Sequence, residues 1–257
     1  MALSPDPSSL QLAQRLGANA LVCEVRSATA ISPSLYELVL GGHAATLAGV
    51  PGNDVMLRLA TDDGSFVRRR YSVRALDEGS DSFTLWLTTE HVGPGSDWVQ
   101  RAQAGEPVDV IGPRGKIPLD PSADWHLFVG DVSGLSAFYR MAASIEAPGR
   151  AIFIVEIDQD DDAVTATFDE GIAVTGIFVN RQDRARNDPA GLLSGLAAFA
   201  LPPDQGHAYV FGEFSVVRVV RNALVDRGLS EDAINVKAFW RMGRSNADHG
   251  EPDKRED

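Results

Sequence analysis

The hydrophobic pattern of the 257-residue chain changes its period near the middle, and this change constrains the fold more than any other feature. In the first half, β-branched and aromatic residues alternate with polar ones in short segments, which turns such as Pro51-Gly52-Asn53 separate. In the second half, compact apolar segments alternate with stretches of helical period. Two domains of different class are therefore predicted.

The first half is predicted to form a small six-stranded antiparallel β-barrel. The strands are Leu21–Arg26, Leu35–Leu40, Val55–Leu59, Phe66–Arg74, Phe83–Thr89 and Pro107–Ile111. A helix over Ser8–Leu16 precedes them, with Ser8 or Ser9 as its cap.

The second half is predicted to be a doubly wound α/β domain with a parallel sheet. The strands are His126–Gly130, Ala151–Val155, Val174–Val179, Ala208–Phe211 and Ile234–Trp240. The helices are Ser133–Ile145 and Phe214–Arg227, and Gly228 is the predicted stop of the second. We expect a helical segment at 1–19, the barrel at 20–121, the α/β domain at 122–244 and a charged, disordered tail at 245–257.

Net charge and cysteine content exclude several functions. A formal net charge of −13 argues against a nucleic-acid-binding protein, because such a protein needs a basic surface to bind phosphates. The single cysteine, Cys23, excludes a disulfide scaffold, a cysteine zinc site and an iron–sulfur cluster within this chain. The first residues lack the features of a signal peptide, and no apolar run approaches the ~18 residues that span a bilayer. We expect a cytoplasmic protein without membrane insertion.

Arg69-Arg70-Tyr71-Ser72 lies inside the fourth predicted strand. Because residues two apart share one face of a strand, Arg69 and Tyr71 are placed to address one ligand. An arginine fork suits a pyrophosphate, and a tyrosine ring suits a flat heterocycle. A strand with a solvated basic edge is the alternative.

Two glycine-rich turns follow this strand. Gly93-Pro94-Gly95-Ser96-Asp97-Trp98 exposes backbone N–H groups to an anion, and Ser96 is predicted to cap a helix that begins at Asp97. Gly112-Pro113-Arg114-Gly115 closes the predicted barrel. An ordinary turn is the alternative for both segments.

These segments resemble, in order, the motifs of one family. Arg69–Arg74 resembles Arg-x-Tyr-Thr-Val-Arg, and Gly93–Trp98 is similar to Gly-Pro-Ala-Ser-x-Trp. Gly112–Gly115 matches its motif outright.

Three further segments continue the resemblance towards residue 246. Gly130–Leu135 resembles Gly-Asp-Glu-Thr-Ala-Leu, Phe211–Glu213 resembles Ala-Gly-Glu, and Ala238–Arg244 resembles Gly-Tyr-Trp-Arg-x-Gly-Arg. The family is the siderophore-interacting proteins, which are flavin-dependent ferric-siderophore reductases in the ferredoxin–NADP reductase-like superfamily.

The resemblance implies FAD in the barrel and NADPH or NADH, or in some members a ferredoxin, as the electron source. It implies that Arg69 meets the FAD pyrophosphate and that Tyr71 meets the isoalloxazine or ribityl region. The implied flavin-side residues are Arg69, Tyr71, Ser72, Thr88, Thr89, His91, Gly93, Pro94, Gly95, Ser96 and Trp98. The implied nicotinamide-side residues are Gly130, Asp131, Ser133, Gly134, Gly212 and Glu213. FAD carries the chemistry, so no side chain is predicted to be catalytic.

The chain departs from the family pattern at several positions. A His-Gly pair of the family corresponds to Thr89-Glu90 here, and His91 lies two places later. Met56 stands where the family commonly has a lysine that attracts an anionic ferric siderophore, and Val132 replaces an acidic residue. These departures preserve the flavoprotein inference and weaken the inference about the substrate.

A ferric siderophore is the expected substrate, and it needs no protein ligand because its own oxygens hold the iron. Since the net charge is negative, an anionic chelate requires a local positive rim. The candidates for substrate contact are Arg58, Arg114, Lys116, Trp240, Arg241 and Arg244. A flavoenzyme with another acceptor and a non-catalytic siderophore-binding protein are the alternatives. A monomer is expected.

An acidic run, Asp158–Asp162, follows a predicted buried strand. An acidic residue at that place in a doubly wound sheet binds ribose hydroxyls and repels a 2′-phosphate, which favours NADH. Arg181, Arg184 and Arg186 follow the next strand and favour NADPH. A solvated loop is the alternative for the acidic run, and the choice between the two nucleotides stays open.

Overall fold

A computed structural model describes residues 3–89, 93–115 and 117–243. His91, Lys116, Arg244 and the predicted tail at 245–257 lie outside the described residues. The chain divides into two compact units, of which one ends at Pro118 and the other begins at Leu119. The predicted domain boundaries after residues 19 and 121 stay predictions.

The first unit is built from antiparallel strands and short helices. The strands are β1 (Asn19–Ser32), β2 (Leu35–Gly41), β3 (Asp54–Ala60), β4 (Phe66–Asp77), β5 (Ser82–Thr88) and β6 (Pro107–Arg114). The helices are α1 (Pro7–Leu16), α2 (Ala44–Leu47) and α3 (Pro94–Arg101). The strands close into a barrel in the order β1-β2-β5-β4-β3-β6, which confirms the predicted six-stranded barrel.

The alternation of residues along β3 places its apolar side chains inside the barrel. Val55, Leu57 and Leu59 are fully buried, whereas Met56 and Arg58 are partly exposed on the outer face. This two-residue period is the signal that made the strand predictable. The buried side chains of all six strands contribute to one core.

Helix α1 is fastened to the outside of the barrel by polar contacts. Ser9 Oγ and the backbone N–H of Asp6 both donate to Asp109 Oδ2, at 2.7 and 2.9 Å. The predicted cap, Ser8 or Ser9, is wrong, because Asp6 accepts from the Ser8 N–H at 2.9 Å and Pro7 occupies the first helical position. Proline suits that position since its missing N–H has no partner within the helix.

The second unit is an α/β sandwich. Its strands are β7 (Trp125–Asp131), β8 (Gly149–Ile157), β9 (Ile172–Asn180), β10 (Gly206–Glu213) and β11 (Ile234–Trp240). Its helices are α4 (Leu135–Ala142), α5 (Ala190–Ala198) and α6 (Phe214–Asp226). The strands are parallel in the order β11-β10-β7-β8-β9, which confirms the predicted doubly wound sheet.

The helices of the second unit differ in part from the prediction. The helix predicted from Ser133 begins as a 3₁₀ turn over Val132–Gly134, and α4 ends at Ala142 instead of Ile145. Helix α5 was not predicted, because two glycines interrupt its helical pattern. The predicted stop of α6 is confirmed, since Gly228 has a φ of 98° and donates to the Val225 carbonyl at 2.9 Å.

The sheet of the second unit is covered on one face by α5 and α6. Leu192 and Leu196 of α5 and Val217, Val220 and Leu224 of α6 pack on it. No helix among the described residues is long and apolar enough to cross a membrane.

Candidate functional site

In the barrel, the strand motif and the first glycine turn come together. Arg69 and Tyr71 share the face of β4 that lies against the start of α3, as the two-residue spacing predicted. A Cβ added at Gly95 would overlap the Tyr71 hydroxyl and would lie 3.5 Å from Arg69 Cγ. Burial raises the pKa of the Tyr71 phenol above its ordinary value. The Tyr71 hydroxyl therefore stays protonated at neutral pH and can donate a hydrogen bond.

The glycine turn begins α3 in a different way from the prediction. Gly93 is the N-cap and Pro94 is the first helical residue, so the prediction that Ser96 caps a helix beginning at Asp97 is wrong. Ser96 Oγ instead donates to the Gly93 carbonyl at 2.9 Å and lies 3.2 Å from the Gly93 nitrogen. Proline forces this earlier start because its fixed φ is helical and its missing N–H costs nothing at the first position.

The first turn of α3 has the features of an anion site. Gly95 and Ser96 are the second and third residues of α3, so their backbone N–H groups lie in its first turn, where the helix dipole favours negative charge. A Cβ added at Gly93 would meet no atom of the described residues within 4 Å. The Arg69 side chain passes beside the same turn, and its Nη1 donates to the Arg68 carbonyl at 2.9 Å. These features fit a pyrophosphate group and therefore fit FAD.

Ser72 lies one step further along β4 and is 7% exposed. It is paired in register with Asp54, which is 2% exposed and accepts from Arg70 Nη2 at 2.6 Å and from Arg70 Nε at 3.2 Å. Arg70 thus neutralises a buried carboxylate, whereas its neighbour Arg69 lies on the other face of the strand.

Trp98 is buried in the barrel core, with 2% of its surface exposed, and its Nε1 donates to Glu106 Oε1 at 3.2 Å. This location gives the indole a packing role, and the implied place of Trp98 on the flavin side stays a prediction. Thr88 ends β5, and the Thr89 N–H donates to the Ser34 carbonyl at 2.9 Å. Neither threonine is placed by these contacts at the first turn of α3.

In the α/β unit, the strand order reverses between β7 and β10. Ligands of such sheets bind outside the carboxyl ends of the strands at this switch point. A cleft lies there, and several residues named from the sequence line it together with one that was not. Its polar and glycine lining consists of Gly130, Asp131, Glu156, Arg186, Gly212 and Glu213.

The Gly130–Gly134 segment is held by its own side chains. Asp131 Oδ1 accepts from the Ser133 N–H at 2.9 Å and also accepts from the Ser133 hydroxyl. A Cβ at Gly130 would overlap the Phe211 carbonyl oxygen, and one at Gly134 would lie 2.7 Å from the Phe138 ring. The two glycines are therefore required for close packing inside the unit.

Glu213 caps α6 from the end of β10. Its Oε2 accepts from the Ser215 and Val216 N–H groups at 2.5 and 3.1 Å, and its Oε1 accepts from the Met242 N–H at 3.1 Å. Gly212 has a φ of 147°, which favours glycine. Both Asp131 and Glu213 thus occupy places at helix or 3₁₀ N-termini that an anionic ligand would otherwise take.

Glu156 is the residue of this cleft that sequence reasoning missed. It is 4% exposed near the end of β8, and its carboxylate lies 3.5 Å from Arg184 Nη2 and 3.7 Å from Arg181 Nε. Burial raises its pKa, and the two arginines oppose that rise. The available signal was an acidic residue within the otherwise apolar segment Ala151–Ile157.

The candidate cations for substrate differ in their surroundings. Arg58 pairs with Asp6 at 3.2 Å and lies 3.4 Å over the centre of the Phe66 ring. Arg114 is opposite Asp54 at the other end of β3, four residues or about 13 Å from Arg58 along the strand. These two cations therefore do not form one group in the barrel.

The remaining substrate candidates lie at the end of β11. Trp240 Nε1 donates to Asp131 Oδ2 at 2.9 Å. The Arg241 guanidinium lies 4.6 Å from the centre of the Phe214 ring, which holds it above the start of α6. Trp240 and Arg241 thus lie beside residues of the switch-point cleft.

Two protein-family models match this chain, one in each unit. Residues 58–117 match the siderophore-interacting FAD-binding domain, and residues 123–243 match the siderophore-interacting protein model. The chain belongs to the siderophore-interacting protein family. The resemblance inferred from the motifs is therefore confirmed.

Relatives of this siderophore-interacting protein include an uncharacterized protein of Mycobacterium bovis, 32% identical over 69% of this chain and 66% of the relative. The ferric vibriobactin reductase ViuB of Vibrio cholerae is 27% identical over 70% of this chain and 66% of its own length. The alignments thus span just under two thirds of these relatives. A siderophore utilization protein from T. fusca has the same fold, with a TM-score of 0.77, 24% identity, and coverage of 90% of this chain and 96% of that one.

Proposed function

We propose that this protein is an FAD-dependent oxidoreductase that passes electrons from NAD(P)H to a ferric siderophore and reduces Fe(III) to Fe(II). The observation that carries the proposal is the meeting of Arg69 and Tyr71 with the first turn of α3, within a segment that belongs to a siderophore-interacting FAD-binding domain. The similarity to a ferric vibriobactin reductase supports the choice of substrate.

The barrel residues would hold FAD through its charged and aromatic parts. Arg69 and the first turn of α3 would bind the pyrophosphate, because an arginine side chain lies beside a helix N-terminus there. The Tyr71 ring would lie against the isoalloxazine or the ribityl chain, and its protonated hydroxyl can donate to it. Bound FAD supplies the conversion of two-electron transfer into one-electron transfer.

The iron is substrate and needs no protein ligand. The oxygen donors of a siderophore hold the more highly charged ferric ion better than the ferrous ion, so reduction weakens the chelate. The chain's contribution would be a cationic contact for an anionic chelate. Since Arg58 is already paired with the carboxylate of Asp6, Arg114 and Arg241 are the stronger described candidates.

The electron donor we propose is NAD(P)H, bound at the switch-point cleft of the α/β unit. The support is the position of the cleft at the carboxyl ends of β7, β8 and β10, where parallel sheets bind nucleotides. A ferredoxin is the alternative donor. The cytoplasmic location and the monomeric state expected from the sequence stay predictions.

The absorbance spectrum of the purified protein tests this function. We expect a bound flavin spectrum, its bleaching by anaerobic NADH or NADPH, and ferrous-chelator colour when a ferric siderophore is then added. A protein that binds flavin and reduces no ferric chelate would overturn the proposal.

A flavoenzyme with a different acceptor is the second candidate. Met56 lies on the outer face of β3 opposite Arg70, where the family pattern commonly provides a lysine, and Arg70 is bonded to Asp54. This barrel face therefore offers less positive charge to an anionic chelate. Faster reduction of quinones, dyes or free flavin than of ferric chelates would favour the second candidate, and the reverse order would exclude it.

A further inference from the structure

Three arginines and two carboxylates form a cluster where β8 and β9 end. We define it as the β8–β9 cluster: Glu156, Asp158, Arg181, Arg184 and Arg186. Arg181 pairs with both carboxylates, Arg186 pairs with Asp158, and Arg184 pairs with Glu156. Each arginine of the cluster thus already has a carboxylate partner.

The cluster lies beside the switch-point cleft. Glu156 and Arg186 line that cleft together with Gly130 at the end of β7. Asp158 is the first residue after β8, the strand next to β7. In a doubly wound sheet, an acidic residue at about this place bonds the adenosine ribose of NAD, whereas an arginine accommodates the 2′-phosphate of NADP.

The members of the cluster differ in their access to solvent. The side chains of Arg181 and Glu156 are 4% and 5% exposed, so they form its interior. Asp158 and Arg186 are 19% and 29% exposed, so they form its outer edge. Asp158 and Arg186 are therefore the members of the cluster that a nucleotide at this edge of the sheet can reach most readily, and Arg186 also lines the cleft.

The charge around the cleft disfavours an additional phosphate. Asp131, Glu156 and Glu213 line it with negative charge, and Arg186 is the one cation among its described lining residues. A 2′-phosphate carries about −1.5 to −2 charges at neutral pH, as phosphate monoesters do. Placing it beside Asp158 would bring like charges together, and this repulsion would select against NADPH.

We propose that Asp158, held by Arg181 and Arg186, accepts a hydrogen bond from the 2′-hydroxyl of the adenosine ribose. This chain would therefore bind NADH and reject NADPH. The inference rests on the proposed function insofar as the donor is a nicotinamide nucleotide. Arg181 and Arg186 act as positioning residues, because they fix the carboxylate that the ribose meets.

The Asp158→Asn substitution tests the negative charge of Asp158. An asparagine of nearly the same shape cannot form an ion pair, so the substitution releases Arg186 and removes the charge that repels a phosphate. Asp161→Asn is the matched control, since Asp161 is an exposed residue of the same acidic run. Both variants change the net charge by the same amount.

Binding of nucleotide fragments to the FAD-loaded protein tests the proposal without any electron transfer. By titration calorimetry, we expect 5′-AMP to bind at least about tenfold tighter than 2′,5′-ADP to the unmodified protein. Asp158→Asn should shift the ratio of the two affinities by at least about tenfold towards 2′,5′-ADP, and Asp161→Asn should leave it unchanged. Adding Arg186→Gln to Asp158→Asn should abolish this shift of the affinity ratio towards 2′,5′-ADP.

Several outcomes would overturn the proposal. These are a preference of the unmodified protein for 2′,5′-ADP, equal affinity for both fragments, no binding of either, or an unchanged ratio in a folded Asp158→Asn variant. The measurement on the unmodified protein decides the matter if the variant does not fold, which circular dichroism would show.

Failure of the proposed function gives a different result. If the expected fragment selectivity holds and no ferric chelate is reduced with NADH, the proposed acceptor is wrong and the nucleotide assignment stands. If ferric chelates are reduced with a ferredoxin while neither fragment binds, the nucleotide assignment alone is wrong.

Discussion

Both units have a glycine-containing turn before a helix, yet the two turns have different roles. In the barrel, a Cβ at Gly93 would meet nothing within 4 Å among the residues that the structure describes, and the Arg69 side chain lies beside the N-terminus of α3. In the α/β unit, Asp131 and Glu213 fill the N-terminal positions, and a Cβ at Gly130 would overlap a backbone oxygen. The same kind of motif thus offers an anion site in one unit and supports internal packing in the other.

Alanine substitutions at Gly130 and Gly93 test this comparison with the largest expected difference in stability. Gly130→Ala should destabilise the protein by about 3 kcal/mol, because the new Cβ would force the Phe211 carbonyl of a buried strand to move. Gly93→Ala should change the free energy of unfolding by less than about 0.5 kcal/mol, since a Cβ at Gly93 would contact no described residue and the φ of 167° is extended. Urea denaturation measures both values, and similar losses in the two variants would contradict the comparison.

Acid should destabilise the α/β unit through His126, which is buried at the start of β7. Burial, with a smaller contribution from His207, lowers the pKa of His126 from 6.5 to about 4, and Asp120 opposes the shift. Because the unfolded chain takes up the proton at the higher pH, stability falls as the pH drops from 6.5 towards 4, by up to about 3 kcal/mol.

Urea denaturation across this pH range measures the loss, with substitutions at two histidines for comparison. His207 and Tyr209 stack near His126, and burial also lowers the pKa of His207, so a reduced slope remains in His126→Gln. His43→Asn is the control, because His43 is exposed in the barrel unit and its φ of 65° suits asparagine. Equal pH slopes in all three proteins would contradict the assignment.

Arg69→Ala should weaken FAD binding by about 2 kcal/mol, or roughly thirtyfold, because a hydrogen bond to a charged group is lost. Arg68→Ala is the control on the same strand, since Arg68 donates to Ser8 Oγ on the outer face at 2.7 Å. Fluorescence titration of the apoprotein with FAD measures both affinities. Equal losses would show that the inner face of β4 is not the flavin side.

Glu213→Gln should have the smallest effect, a loss of about 1 kcal/mol in stability, because the amide keeps the shape but loses the charge that caps α6. FAD affinity should stay unchanged. A large loss of FAD affinity without a loss of stability would contradict the capping role.

The barrel was predictable because its strands follow a strict two-residue period and Arg69 and Tyr71 needed only that period to share a face. The contacts of Arg58 were not predictable. Its partner Asp6 lies 52 positions away in sequence, and only the packing of α1 on the barrel brings the two together. The start of α3 was misjudged because Ser96 was given a capping role that Gly93, followed by Pro94, takes.

In the α/β unit, the apolar strands were predictable and helix α5 was not. Gly191 and Gly195 lower its intrinsic helix propensity, yet a Cβ at Gly195 would lie 2.8 Å from the Ile154 side chain. Tertiary packing therefore requires the residue that local propensity disfavours. Glu156 was missed for a related reason, since its ion pairs with Arg181 and Arg184 depend on the pairing of β8 with β9.

Anaerobic mixing of the reduced, FAD-loaded protein with a ferric siderophore tests the central claim most directly. The account predicts that the flavin absorbance returns as the chelate is added and that about two ferrous ions form for each flavin reoxidised, since two electrons leave one at a time. A flavin that stays reduced in the presence of excess ferric siderophore, and is reoxidised by a quinone or dye, would contradict the account.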